Sequence, residues 1–544
     1  MNYKRLSAAI ASFDMAHAFD RAFIPYIVQV LRHMNFGEKF IRIIIDSHTN
    51  ITTKFILNGL TESVRLLFSF RQGNPISMML YLIYIEPLLV MIGKKLQGLR
   101  FPNFSEVDDD YCDDVEIMIE KEEDLVIADR IFRKFENFAG AILNRSTKSK
   151  IMGLGGYQGR QNWPLPWLKV EPSLKIFGVH IYPTYKKILD ANWTELLQKF
   201  RGKLYSWNLR SLDTFQQRVD VLQIFGTSKL WYLCQVLPLP PAFAAKLEGL
   251  MYKFVWVGKL EKLAMDETKN TREQGGLNIV CIRSKADALF LRQTCRMLAE
   301  PNLNSYKHLK FWVGLYLEEA LPDLGGGDHA DRTPDYFKHL KELFLEAHAN
   351  EVIDIQQLNS IPAKDIYKDF TSTFPPPKIT YKYENMPWDD IWDRLNRPII
   401  SSHVRDLMFI LIHNILPTRA SLFRLNQCRD DQCDQGDGLE DVEHLFTGCV
   451  RTQVAWAWCR RKIMHLMPDL QVYPSNFELI NLAYESPMDD EICWLVAQYC
   501  FYVYEQKKMK AHNYRIDVDK LRRHLIGLYA QNQKSQNVLA HIPF

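Results

Sequence analysis

Tyr111-Cys112-Asp113-Asp114 decides how this chain reads. Adjacent carboxylates at a strand turn repel each other unless a divalent metal lies between them, which points to phosphoryl chemistry. A third carboxylate, Asp14, stands in Phe13-Asp14-Met15-Ala16-His17-Ala18-Phe19-Asp20, and between the two comes Arg71-Gln72-Gly73-Asn74-Pro75-Ile76-Ser77. Taken alone, an Asp-Asp pair reads as a solvated turn or helix start, because charge favours the surface. The ordered set of three carries the argument.

In this order and at about this separation the stretches resemble the palm of non-LTR (LINE-type) retrotransposon reverse transcriptases, which typically read FD-x-x-KAFD, RQG-x-PLSP and YADD. The resemblance continues through most of the chain. It implies that Asp14, Asp113 and Asp114 hold two magnesium (or manganese) ions, Asp114 contributing more to charge than to direct coordination. It also implies that Phe19 is an aromatic gate against a 2′ hydroxyl, its other reading being a core phenylalanine. Gly73 would let backbone approach the incoming nucleotide where a Cβ would clash, and Gln72 would face the template or the base pair. Lys148, in Leu143-Asn144-Arg145-Ser146-Thr147-Lys148-Ser149, matches the LN-x-x-KS lysine with one extra residue before it, a group that protonates pyrophosphate. Leu174-Lys175-Ile176-Phe177-Gly178-Val179 resembles a primer grip and reads equally as an ordinary core strand.

Three features depart from the family pattern. Thirteen residues precede Asp14, so the chain reads as a fragment or truncated copy without fingers or endonuclease. Five aspartates occupy the seven positions from Asp108 to Asp114 where an apolar strand is usual. Their burial without metal or basic partners is costly, so this hairpin is expected to be exposed or drifted. His17 stands in place of a lysine and Asn74 in place of a cysteine.

With 544 residues and 47% apolar content, a folded chain of about three or four domains is expected. The formal net charge is +3, yet over 183–260 eleven Lys or Arg stand against five Asp or Glu. There Lys199, Arg201, Lys203, Trp207 and Arg210 interleave cations with aromatics, a pattern for phosphate contact and base stacking. A solvated amphipathic helix with core aromatics explains it equally. This region resembles the thumb and its extension in LINE-type enzymes, including Phe254-Val255-Trp256 and Gly275-Gly276-Leu277.

A second chemical signal is Cys428-x4-Cys433-x10-His444-x4-Cys449, four ligands suited to a closed tetrahedral zinc site. The alternative is four unrelated core residues. The His444-Leu445-Phe446-x-x-Cys449 tail resembles the CCHC element of LINE-type proteins. Asp430, Asp431 and Asp434 nearby make the loop a poor nucleic-acid face, so the element is read as structural. Cys459, Cys493 and Cys500 read as core, and ten scattered cysteines fit a reducing compartment.

Helices are expected over 24–34 and 38–47, and a hairpin turning at Asn58-Gly59 between 53–57 and 64–68. A buried, non-membrane helix is expected over 78–92. Another should present Ala128, Ile131, Phe132, Phe135 and Phe138 and stop at Gly140. No secretory signal follows Met1-Asn2-Tyr3-Lys4-Arg5, so an intracellular location is expected, and the resemblance implies the nucleus.

The expected fold is α+β: a right-hand polymerase palm with an antiparallel sheet (1–182), then a helical thumb and extension (183–320). A linker (321–335), a helical region (336–427), the zinc knuckle (428–449) and a C-terminal helical region (450–544) follow. The implied activity is RNA-directed DNA polymerisation with an RNA template, a DNA primer or target DNA, and deoxynucleoside triphosphates. The competing reading is an inactive nucleic-acid-binding relic. Phe19 argues against an RNA-dependent RNA polymerase.

Overall fold

The computed structural model describes residues 7–544 except 55, 57–58, 66–68, 72, 102–103, 112–113, 147, 258–262, 319–320, 322–323, 325–332, 355–357, 469–471, 487, 511–513, 537–541 and 543–544. The side chains of 109–111, 510 and 532–536 are likewise outside it. The chain forms two compact units, Met1–Glu195 with Thr294–Leu345, and Leu196–Gln293 with Glu346–Phe544. The helical stretch expected as one block over 183–320 is therefore shared between them, and most of the expected linker lies outside the described residues.

In the first unit, Ser7–Asp14 is the middle strand of five. It pairs antiparallel with Asp114–Ile119 on one side and Lys150–Gly155 on the other. Asp108–Tyr111 extends the sheet antiparallel beyond the first neighbour, and Lys169–Val170 joins in parallel beyond the second. Strand side chains alternate between faces. Thus Ala9, Ala11 and Phe13 are buried, while Ser12 and Asp14 take the other face.

Helices Ser77–Lys95 and Glu123–Ala139 pack on the buried face. The Phe13 ring lies 4.9 Å from that of Phe132, and the Tyr84 hydroxyl donates to the Ala139 carbonyl at 2.6 Å. Two alanines on the central strand leave room for aromatic rings from these helices. The resulting order of strand, helices, two strands, helix and strand is the split βαβ arrangement.

Two expectations about these helices need correction. Phe138 is 72% exposed and Ala139 takes its place in the core. At 3.6 residues per turn, eleven residues from Ala128 return to within about 20° of the stripe, whereas ten miss it by about 80°. Gly140 does end that helix, in the left-handed region at φ 76°. Helix Ser77–Lys95 is long and apolar enough to cross a membrane. It is not buried all round, since Met78, Met79, Leu82 and Val90 are exposed.

The early helices are Ile24–His33 and Glu38–His48, close to the expected spans. Thr52–Thr53 pairs with Val64–Arg65 as a shorter hairpin than expected, and Asn58 lies outside the described residues. Leu174–Ile176 and Val179–Ile181 form a second hairpin. Phe177 at φ 46° and Gly178 at φ 83° give the paired positive φ of a tight two-residue turn. The buried Asn192 side chain clamps this hairpin, accepting from His180 N and donating to His180 O, both at 2.8 Å.

The second unit is helical. Helix Asp489–Lys510 is buried continuously from Ile492 to Cys500, as an element apolar on every side must be. Cys459, Cys493 and Cys500 are core, as read from the sequence, and burial pushes the Cys493 thiol up to about 12. Phe254, Val255 and Trp256 are core as well.

Gly275 and Gly276 form a turn that admits no side chain. A Cβ on Gly276 would fall 2.0 Å from the Asn270 carbonyl oxygen, and one on Gly275, at φ 77°, 2.6 Å from Trp392. Backbone has to move to accept it. Gly276→Ala is expected to cost about 3 kcal/mol in chemical denaturation, and an unchanged midpoint would contradict the close approach.

The Gly275 carbonyl faces Nε2 of His413 at 2.9 Å. His413 is wholly buried against Trp392 and Phe409, and burial lowers its pKa from 6.5 to about 4 against the opposing effect of that hydrogen bond. The unfolded chain then takes up a proton that the fold excludes. The stability tied to a neutral His413 is complete above pH 6.5 and is lost as pH falls towards about 4. The expected loss is on the order of 3 kcal/mol, and a His413→Gln variant should show a flatter melting profile over that window.

Candidate active site and metal centre

Asp14 ends the central strand and sits directly opposite Asp114, the first residue of its neighbour. Directly opposed residues place their Cβ atoms about 5 Å apart, and like charges there destabilise a sheet. Tyr111 pairs with Asp114 on the next strand. Asp113 and Cys112 lie outside the described residues. The hairpin register thus brings together two of the three carboxylates read from the sequence.

The segment after Leu143 wraps onto Asp14 through its backbone. Asn144 N donates to Asp14 O at 2.8 Å, Asp14 N donates to Ser149 Oγ at 3.3 Å, and Ser149 Oγ donates to Asn144 O at 2.7 Å. The consequence is charge placement: Asn144 Nδ2 and Lys148 Nζ reach Asp14 Oδ2 at 3.3 and 3.6 Å. The Lys148 side chain is 65% exposed, so this pair is screened and holds the lysine weakly. The extra residue before Lys148 does not keep it from the site. Hard carboxylate oxygens in this register, with one cation beside them, are a donor set that fits magnesium.

Phe19 is partly buried and stacks on Tyr81 at 4.8 Å, while its carbonyl accepts from Phe70 N at 2.9 Å. Gly73 has φ 81° with open space where a Cβ would go. Its requirement within the chain is the positive φ rather than a close approach. Gln72 lies outside the described residues.

Helix Tyr185–Asn208 and the residues after it carry the basic and aromatic set. Trp193 and Phe200 are core, but Trp207 is half-buried. It stacks on Phe225 at 4.8 Å, with Arg210 over its ring at 4.3 Å and Lys203 5.8 Å from Phe225. Lys199 and Arg201 are exposed. Sequence reasoning missed Phe225, which stands eighteen residues from Trp207 in a wide helical turn, Leu222–Gly226.

The cysteine cluster forms with one substitution in its membership. Cys433, Asp437, His444 and Cys449 bring one ligand atom each to within 4.8 Å of one another. Cys428 is not among them; its Sγ contacts the carbonyls of Asp430 and Arg419 at 3.0 and 3.4 Å. The reason is a tight loop. Gly436 N donates to Cys433 O at 2.8 Å and Cys433 N to Gly438 O at 2.7 Å, folding Asp437 back beside Cys433. Arg419 meanwhile pairs with Asp430 and Asp434 and draws the Cys428 end aside.

The geometry suits a tetrahedral ion. Two metal–sulfur bonds of about 2.3 Å span about 3.8 Å at the tetrahedral angle, and bonds of about 2.0–2.1 Å to nitrogen and oxygen span about 3.3 Å. Cys433 Sγ and Cys449 Sγ are 3.7 Å apart, and His444 Nε2 and Asp437 Oδ1 are 3.2 Å apart. His444 Nε2 is buried, facing the Asp437 carboxylate, and both cysteines are buried. The donor set therefore fits zinc.

No protein-family model matches the chain. The chain is similar to the "Transposon TX1 uncharacterized 149 kDa protein" of Xenopus laevis, 28% identical over 310 residues that make up 55% of this chain and 23% of that protein. It thus spans less than a quarter of that relative's length. A telomerase structure from Candida albicans, in complex with a TWJ fragment of telomeric RNA, matches 56% of this chain and 49% of its own. That match has 12% identity and a TM-score of 0.24, too low to bear on the fold. The molecule is a mixed helix-and-sheet protein with opposed acidic residues on its central strands. It is a homologue of a transposon protein, and the likeness to LINE-type retrotransposon proteins carried by its motifs is borne out.

Proposed function

We propose that the first unit is the palm of an RNA-directed DNA polymerase and that the chain extends a primer 3′ hydroxyl on an RNA template with deoxynucleoside triphosphates. The observation that carries this reading is Asp14 in register with Asp114, with the Asn144–Ser149 segment folded onto the same carboxylate. Asp14, Asp113 and Asp114 would hold magnesium or manganese, which when bound acidifies the 3′ hydroxyl and neutralises the leaving pyrophosphate.

The chain's own groups divide the remaining work. Lys148, weakly held at Asp14, is placed to move to the pyrophosphate and give it a proton. Phe19, braced by Tyr81, limits space at the sugar, Gly73 supplies a turn at the nucleotide, and Gln72 would serve the template or the base pair. The Leu174–Ile181 hairpin supports the primer end. Lys199, Arg201, Lys203 and Arg210 contact strand phosphates while Trp207 offers a stacking face. Cys433, Asp437, His444 and Cys449 would hold a structural zinc. Work on a DNA target would put the protein in the nucleus.

The test is magnesium-dependent incorporation of deoxynucleotides on a primed RNA by the purified chain. Incorporation supports the polymerase. Salt-sensitive RNA binding without incorporation would replace it with a binding-only protein.

A further inference from the structure

A cleft of about 380 Å³ in the second unit carries charge that no part of the foregoing chemistry uses. Lys378, Lys382 and Arg424 line it, together with Glu267, Tyr252 and His413. Three cations against one carboxylate repel one another, and that carboxylate is engaged, Glu267 Oε2 accepting from Lys378 N at 3.2 Å. The guanidinium of Arg424 and the ammonium of Lys378 have no carboxylate partner among the described residues. Such a cluster is favourable when an anion completes it.

The surroundings indicate which anion. Lys378–Lys382 is one helical turn, entered through the extended Pro377, so the two lysines project from a stiff start. Tyr381 lies between them in sequence and is 58% exposed. Tyr381 does not line the cleft but shares the helical turn of two of its cations, and cations with an exposed aromatic on one turn match a phosphodiester strand, whose phosphates take the charge and whose bases stack. A free phosphate would have no use for the tyrosine.

We propose that this cleft holds a phosphate of single-stranded nucleic acid, with Tyr381 stacking on a base. This contact is separate from the Asp14 site and from the Trp207 surface.

The experiment is fluorescence anisotropy of the full chain with a labelled, unstructured oligouridylate across a salt series. Lys378→Gln/Lys382→Gln is compared with Lys364→Gln/Lys368→Gln, an equal loss of exposed charge from helix Ala363–Ser372. The cleft pair is expected to bind at least about tenfold more weakly and to lose about 0.7 from the log–log salt slope, the share of one phosphate, while the control pair changes little. Tyr381→Ala should weaken binding about tenfold without altering the slope. Equal losses in both double variants would overturn the proposal, leaving net charge as the cause. Calorimetric binding of inorganic phosphate that depends on Lys378 and Lys382, with oligonucleotide affinity unchanged, would also overturn it. Asp14→Ala should keep this binding whether or not the chain polymerises, which separates the two readings.

Discussion

Asp14→Ala is expected to lower magnesium-dependent extension of a primed RNA by at least about a thousandfold while leaving RNA affinity within about twofold. Among the described residues the carboxylate has no other structural duty of comparable size. Its side-chain contacts are Asn144 Nδ2 and the exposed Lys148, both on Oδ2, whereas the wrap of the Asn144–Ser149 segment runs through backbone atoms that alanine keeps. Removing one of two opposed charges also relieves repulsion with Asp114. A melting temperature at or above wild type is therefore expected alongside the lost activity. Asp113→Ala should behave likewise. Undiminished incorporation by either variant would sink the assignment.

Removal of zinc is expected to have the second largest effect. The purified chain should carry about one zinc ion, and chelation should lower its melting temperature and expose Cys433 and Cys449 to thiol reagents. Burial pushes the metal-free Cys433 thiol up to about 12, so binding must displace protons and weaken in acid. The informative comparison is between two neighbours. Asp437→Ala should reduce zinc affinity about ten- to a hundredfold, and Cys428→Ser should leave zinc content and melting unchanged. The opposite result would restore Cys428 to the ligand set suggested by the spacing alone.

The difference between those two residues shows what a linear reading can reach. Cys433, His444 and Cys449 were legible because soft ligands at short spacing are uncommon. Asp437 has nothing in its spacing to single it out from the loop acids Asp430, Asp431 and Asp434. Only the Cys433–Gly438 loop, closed by backbone hydrogen bonds, puts its carboxylate beside the sulfurs. The signal available was Gly436 and Gly438 flanking the aspartate, both at positive φ.

By itself the sequence determined the helix stopped by Gly140 and the buried role of Cys459, Cys493 and Cys500, while the grouping of Asp14 with the Tyr111–Asp114 hairpin rested on the family resemblance. The first two follow from local rules: side-chain period and the conformational range of glycine. Tertiary structure alone decided that Asp437 rather than Cys428 lies with Cys433, His444 and Cys449, that Phe225 backs Trp207, that Lys148 reaches Asp14, and that Lys378, Lys382 and Arg424 share a cleft. Each depends on groups far apart in the chain or on a loop closed by its own backbone, and no periodicity of apolar residues reports where such a loop will place a side chain.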